Sequence, residues 1–393
     1  MLALGGKQKV ISLGKPIGGL VFGVLAALFF SATAPEALAA GGETNGAGFA
    51  YYCDQDPAIP RAVYVVKIDR SRQDLALQLT LGGNSRIGMA TLLEQAKFIP
   101  PEIGQPLAGI NGDYFEGKGP LVGAPLGLCI RRGELITPPG EDRAFFYLDA
   151  QGNPHLTNAI SKFQVSWPDG QTTPIGLNQA LAPTGAVLYT EACGASTRAK
   201  GLELILTRHS EGPWLPLRIG QELKAKVRQV NVNGDSPLTA DTLVLALGPR
   251  APRTDHPAAP GDILKLSLAT TPDLTGATLA MGGGPSLVRE GKARPFDGLQ
   301  PRHPRSAIGW GKDFFYFVQV DGRQVRHSMG MSLPELANYF VKLGCDYALN
   351  LDGGASSTTW INGQVVNRPC GRFLRPFGNA LLLVRKPAMS GGE

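Results

Sequence analysis

The sequence predicts an α+β fold: a strand-rich single domain with a mixed sheet and few helices. Three observations carry that expectation. Leu75, Leu77, Leu79 and Leu81 alternate strictly with Ala76, Gln78 and Thr80, the period-two pattern of a strand with one buried face. Short apolar runs recur through the middle of the chain, separated by turns drawn from its 51 glycines and 31 prolines. Only one stretch, 333–343, carries a full helical stripe with both ends marked.

Taken in order, Lys7, Lys9 and Lys15 precede an apolar run at 17–30, and Ala37-Leu38-Ala39 fits a small-x-small cleavage site. Residues 1–39 are therefore expected to be a signal peptide, with an uncleaved anchor as the alternative. Export to the periplasm or the extracellular space follows, with no stable membrane span after processing, because the run is short and Gly-rich for one. Three lysines and Glu36 leave with this segment, a net +2, so the formal charge falls from +6 to +4. Such mild basicity suits an anionic substrate. It is far from a nucleic-acid-binding profile, and no basic stripe interleaved with aromatics occurs. The remaining 354 of 393 residues are enough for one large core or two modest ones. Residues 40–60, Gly-rich and polar, read as a flexible segment, 61–387 as one folded domain and 388–393 as a tail.

Within the domain, 75–81 is the first clear strand and Gly82-Gly83-Asn84 ends it. Met89, Leu92, Leu93 and Ala96 mark one face of a short helix that Pro100-Pro101 stops. Strands are expected at 187–190, 202–206, 222–232, 242–247, 263–268, 314–320 and 381–384. Asn362-Gly363 between two apolar runs is a hairpin turn. The helix at 333–343 has Ser332 as cap, Glu335 completing a capping box and Gly344 at its end. Strand, helix, strand over 314–351 resembles a crossover unit, which would set Leu351 beside Val320 in a parallel pair.

The five cysteines (Cys53, Cys129, Cys193, Cys345, Cys370) have no CxxC spacing, which argues against zinc and thioredoxin-type sites. Up to two disulfides could form in an oxidising compartment, Cys345–Cys370 being the favoured pair, and small buried thiols are the plain alternative. No Gly-Lys-Ser/Thr, GxSxG, HExxH or post-strand GxGxxG occurs. No cofactor is required by the residues; a divalent cation on Asp113, Asp321 or Asp352 is possible.

Candidate chemistry gathers where apolar runs end in a polar residue beside glycine. In Tyr347-Ala-Leu-Asn-Leu-Asp352-Gly-Gly-Ala-Ser-Ser357, Asp352 falls at a strand end. There Gly353 and Gly354 let the backbone turn and approach a ligand, and the hydroxyls of Ser356 and Ser357 can hold a polyol or phosphate. The plain alternative is a hairpin. Asn111-Gly-Asp113 is either a turn or a polar site. Gly282-Gly283-Gly284-Pro285 could present successive N–H groups to an anion. Arg302 and Arg305 are fork-shaped donors for phosphate or carboxylate, though a solvated loop explains Arg302 equally, and His303 could titrate near neutrality. Asp321 is a turn residue or a second carboxylate facing Asp352. Arg198, after Tyr189-Thr190 and a loop, is a weaker candidate.

In order, Asn111-Gly-Asp-Tyr-Phe115, Gly282-Gly-Gly-Pro285, Arg305-Ser-Ala-Ile-Gly309, Val320-Asp-Gly-Arg323 and Asn350-Leu-Asp-Gly-Gly-Ala-Ser-Ser357 form a set that resembles the phosphodiester glycosidase family. The resemblance covers roughly residues 60–385. Two positions depart from the family pattern: Asp113 stands where a second glycine is usual, and Ala355 where a third one is common. The resemblance implies hydrolysis of a sugar-1-phosphodiester to free sugar and phosphomonoester, on a sugar-phosphodiester or phosphoglycan partner in the envelope or outside it. On that reading Asp352 is the principal carboxylate, Asp321 the second and Arg305 the phosphate clamp. Asn111, Asp113, His303, Gly282–Gly284, Gly353, Gly354, Ser356, Ser357 and Arg198 would line the substrate. Two other classes remain open: an envelope protein that binds a phosphodiester-linked polysaccharide without turnover, and a phosphodiesterase cutting P–O.

Overall fold

The computed structural model describes residues 48–56, 59–212, 214–251 and 258–388; the expected signal peptide lies outside them. The fold is α+β, with four sheets and two short α-helices among the described residues. No described helix is long and apolar enough to cross a membrane.

The sheet that positions the candidate site has seven strands in the order Phe49–Asp56, Arg61–Asp69, Phe314–Val320, Arg305–Trp310, Tyr347–Asn350, Ser286–Arg289, Lys292–Ala293. A five-stranded sheet runs Gln364–Val365, Thr359–Ile361, Gln105–Asn111, Asn379–Arg385, Leu75–Leu81. The second five-stranded sheet brings Leu279–Gly282 between Cys129–Arg131 and Phe145–Leu148. The remaining sheet of eight strands, built from residues 160–271, is antiparallel except for Gly176–Leu177, which pairs parallel with Ala186–Tyr189 and makes it mixed.

The central core lies where inner faces of these sheets meet. Phe146 reaches Trp310 and Phe315 at ring-centroid distances of 5.1 and 5.3 Å, tilted as aromatic quadrupoles favour. A second core, around Phe145, Phe163, Leu204 and Leu266, packs the eight-stranded sheet. The helix Leu333–Lys342 has the expected Ser332/Glu335 capping box, with Gly344 in the left-handed region beyond its end. It lays Leu336, Ala337 and Phe340 over Val318 and Ala348. The other helix, Leu92–Ala96, covers the second face of the Leu75–Leu81 strand, where buried Thr80 donates to Gln95 Oε1 at 2.9 Å. The Asn362-Gly363 hairpin is present, both residues at positive φ as a tight two-residue turn requires.

Three expectations are corrected. Phe49–Asp56 is not flexible: it pairs along its whole length with Arg61–Asp69, and Phe49 and Tyr51 join the core. The Gly-rich composition just before it masked this short edge strand. Leu351 does not lie beside Val320. The strand Arg305–Trp310 inserts between the two and pairs antiparallel with both, Arg305 opposite Val320 and Ala307 opposite Asn350. All five cysteines are free thiols, so Cys345–Cys370 is not a disulfide; Cys345 is instead buried beneath the helix Leu333–Lys342.

Candidate active site

The inserted strand decides the geometry. Arg305 begins it, Val320 ends its neighbour and Asn350 ends the other, so Arg305, Asp321 and Asp352 emerge at one edge of the seven-stranded sheet. The Asp352–Gly354 turn is then pressed onto the adjoining loop. Gly354 N–H donates to the Pro304 carbonyl at 3.0 Å, and a Cβ on Gly353 would stand 2.7 Å from that same oxygen. Gly353 permits a close backbone approach to Pro304, and Gly354 takes the left-handed φ of 62° that the turn requires.

Asp352 is half-buried. Burial raises its pKa above the ordinary carboxylate value, opposed by Ser356, Arg375 and the Gly353 N–H. Of the nearby cations, Arg375 acts on it directly, and three further basic side chains gather on the adjoining strand ends and loops. Arg305 and Arg323 lie close enough to repel, and burial with that repulsion lowers the Arg305 pKa without removing its charge. Arg305 uses Nε on the Met331 carbonyl at 3.1 Å and Nη2 on the Pro301 carbonyl at 3.3 Å. His303 joins this group with a depressed pKa, from burial and then from Arg305 and Arg323, so it is neutral at pH 7. Arg323 lies beside Gly354, and Arg375 stacks over Phe115 at 5.2 Å.

Tyr114 closes the other side. Its hydroxyl accepts from Asn350 Nδ2 at 3.0 Å and donates to the Gly284 carbonyl at 3.4 Å. Burial raises its pKa, with Asp352 adding to the rise and Arg305 and Arg143 working against it. The Arg143 guanidinium covers the Tyr114 ring at 5.1 Å and donates to Asp113 Oδ1 at 2.8 Å. Asp113 is 1% exposed and also accepts from the N–H groups of Tyr114 and Gly127. Burial nevertheless pushes its carboxyl up to about 6, against Arg143 and those two N–H groups.

Several expected ligands turn out to be scaffolding. Asn111 is fully buried; its Nδ2 donates to the Asp352 carbonyl at 2.7 Å and its Oδ1 accepts from Ser306 Oγ at 2.6 Å and Thr358 N–H at 3.2 Å. Asp113 is buried and engaged by Arg143. Asp321 does not confront Asp352: at 1% exposure its carboxylate accepts from Gln319, Asn367, the Arg368 N–H and His327, at 2.7–3.0 Å. Such saturation leaves no oxygen for a reaction and fixes the loop that carries Arg323. Gly283 and Gly284 offer no N–H to an anion, since they donate to the Ala144 and Asn350 carbonyls at 3.1 and 2.7 Å. Gly282 is a strand residue opposite Phe145. Ser356 and Ser357 are buried beneath the surface and their hydroxyls reach no partner in hydrogen-bonding geometry, although Ser356 is near enough to lower the Asp352 pKa. Arg198 belongs elsewhere, bonded to the Pro120 and Cys193 carbonyls. Arg302 pairs with Glu335 at the helix cap, with its Nε 3.0 Å from Oε2.

Tyr114, Arg143, Arg323, Asn350 and Arg375 went unassigned in the sequence reading. Tyr114, Arg323 and Asn350 stand inside the quoted motifs and could have been drawn from them. Arg143 and Arg375 carry no local signal, because only tertiary folding brings them in. Among the described residues, no group of three or more His, Cys, Asp or Glu converges in a way that could hold a metal. The arrangement offers a half-buried carboxyl of raised pKa, a tyrosine hydroxyl and several guanidinium groups, suited to an anionic substrate.

Residues 236–384 match the family model described as phosphodiester glycosidase. A stretch of 98 residues is 36% identical to the SPbeta prophage-derived uncharacterized protein YomE of Bacillus subtilis, covering 23% of this chain and 15% of that relative. Among solved structures, a hypothetical protein from Synechocystis superposes with TM-score 0.69 at 22% identity, over 86% of this chain and 62% of that one. An exported-protein candidate from Burkholderia pseudomallei gives 0.63 at 22% identity, over 82% and 74%. These two likenesses establish the fold.

Proposed function

We propose that the protein, whose residues 236–384 match the family model described as phosphodiester glycosidase, is a hydrolase cleaving a sugar-1-phosphodiester to free sugar and a phosphomonoester. The observation that carries this reading is the half-buried Asp352 carboxyl of raised pKa, with Arg375 near enough to lower it and with Arg305 and Arg323 on the adjoining strand ends. Arg305 and Arg323 hold the non-bridging phosphate oxygens. Asp352, ionised, takes a proton from a water that attacks the anomeric carbon. The C–O bond breaks, its electron pair stays on the phosphate oxygen, and the water oxygen ends on the sugar. A phosphomonoester with a second pKa of about 6 leaves with little need of proton donation. An ordinary glycoside releases a poorer leaving group and needs a carboxylic acid beside it. Guanidinium groups fixed in advance absorb the departing charge, which is why one carboxylate suffices. No step in this scheme calls on a cofactor.

We further assign the enzyme to the outside of the cytoplasmic membrane, on envelope or extracellular phosphoglycans. The amino-terminal pattern of residues 1–39 and the likeness to an exported-protein candidate support this. A reporter fused after Gly42 that stays in the cytoplasm would overturn it.

Turnover in heavy-oxygen water, with mass analysis of both products, tests the reaction. Label on the free sugar is the expected result. Label on the phosphate means P–O cleavage, and retained ligand without product means a binding protein; either outcome sinks the proposal. Asp352→Asn should fold normally and lose turnover by at least about a hundredfold, the scale of general-base catalysis.

A further inference from the structure

A second cationic recess adjoins the candidate site on the far side of the Gly283–Gly284–Pro285 turn. It is a cleft of about 670 Å³ whose lining includes Arg143, Arg289 and Arg294, with Asn158 as a neutral donor and Asp142 as the one acid. Arg143 is paired with Asp113, so Arg289 and Arg294 against Asp142 leave a net positive charge in a confined space. Two of these arginines, Arg289 and Arg294, are also weakly engaged. Arg294 is exposed, and its guanidinium makes no hydrogen bond or ion pair among the described residues. Arg289 has only two long contacts, Nη1 to the Leu156 carbonyl at 3.5 Å and Nη2 to Asn158 Oδ1 at 3.4 Å, at the limit of hydrogen bonding. Arg143 spends Nη2 on Asp113, but its buried Nε has no partner.

The recess communicates with the reaction centre through shared walls. Gly284 lines it, and the Gly284 carbonyl accepts from Asn350 and Tyr114 on the Asp352 side. Arg143 lines it while covering the Tyr114 ring.

We propose that this cleft is a second anion subsite, binding a phosphate group one repeat away from the scissile one, so that the substrate class is a glycan with successive phosphodiesters rather than an isolated phosphodiester. This rests on the reading of Asp352 as the reaction centre. Arg289 and Arg294 grip the distant phosphate, and Arg143 bridges the two subsites.

Two measurements on the full chain test it. The first compares kcat/KM for a glycan fragment with two phosphodiesters against one with a single phosphodiester. Wild type should favour the longer fragment about tenfold or more, one good charge-assisted contact's worth, and Arg289→Gln/Arg294→Glu should bring the ratio close to one. A wild-type ratio near one, or a preference the double variant retains, overturns the subsite. The second is calorimetric titration with inorganic tripolyphosphate, which needs no turnover. Binding weakened about tenfold or more in the double variant supports the subsite, and equal binding overturns it. A protein that hydrolyses no sugar phosphodiester yet shows this loss refutes the proposed reaction and leaves the anion cleft standing. Should the double variant unfold, Arg294→Glu alone, at an exposed position, carries both measurements.

Discussion

The Asn111 side chain holds Asp352 in place from a strand 241 residues earlier in the chain, its Nδ2 donating to the Asp352 carbonyl at 2.7 Å. Its Oδ1 is held in turn by Ser306 and Thr358, so one amide ties three strand ends together. Asn111→Ala should lower kcat about a hundredfold with little change in KM, the cost of displacing a reacting group by about an ångström. Steady-state kinetics on the folded variant checks this; a loss confined to KM would mean that Asn111 binds substrate directly.

The raised pKa of Asp352 sets a pH dependence. A general base must be ionised, so the acid limb of kcat/KM should lie above the ordinary aspartate value of 3.8. Arg375 favours the ionised form, so Arg375→Gln should move that limb to higher pH. A limb moving the other way would contradict the assignment of Asp352 as base.

Arg143→Gln should destabilise the fold by about 3–5 kcal/mol at pH 8, because it strands the buried Asp113 carboxylate. The sign with pH follows from the Asp113 carboxyl, raised to about 6 in the folded protein against an ordinary value of 3.8. Between those values the folded state binds more protons than the unfolded one, so this group's contribution to stability falls as pH rises. Without Arg143 the folded pKa climbs further. The gap in Tm between wild type and variant should therefore be wider at pH 8 than at pH 5, as thermal melts at both would show.

Gly282→Ala probes the same corner by packing. The added Cβ would lie 2.7 Å from Gly127 Cα and 2.8 Å from Asp113 Cγ, and neither neighbour is a flexible side-chain end. Overpacking of this kind costs about 1–3 kcal/mol. Chemical denaturation should show that loss; unchanged stability would mean that the strand Leu279–Gly282 can yield.

Asp321→Asn separates a positioning role from a catalytic one. Replacing one acceptor oxygen with an amide nitrogen opposes donors among Gln319, Asn367, His327 and the Arg368 N–H. Tm should fall, and KM should rise as the Arg323 loop loosens, while the pH profile of kcat/KM keeps its acid limb. Loss of that limb would restore Asp321 as a reacting carboxylate.

What the sequence disclosed, and what it hid, divides along the range of the interactions. The Ser332/Glu335 capping box and the Asn362-Gly363 turn depend on neighbours within four residues, and both were legible. The place of Asp352 just beyond a strand end was legible from its motif. Its pairing with Asp321 was misread because strand order in a sheet is not written locally: nothing near Val320 or Leu351 announces that Arg305–Trp310 will slide between them. The glycine run at 282–284 misled for a related reason. Its N–H groups were free in the sequence reading, and only tertiary partners, Ala144 and Asn350, consume two of them. Asn111 kept its importance and changed its task, from touching a ligand to fixing a backbone.

The strand Gln105–Asn111 sits between Thr359–Ile361 and Asn379–Arg385, so both of its edges are completed by the last tenth of the chain. Leu75–Leu81 likewise waits for Asn379–Arg385. As the chain emerges from its N-terminus, these apolar strands must remain without their partners through most of synthesis, a state open to aggregation. Closure of the sheet that holds Asn111 is then the final event of folding, and a truncation before residue 379 should yield insoluble protein rather than a soluble, weakened one.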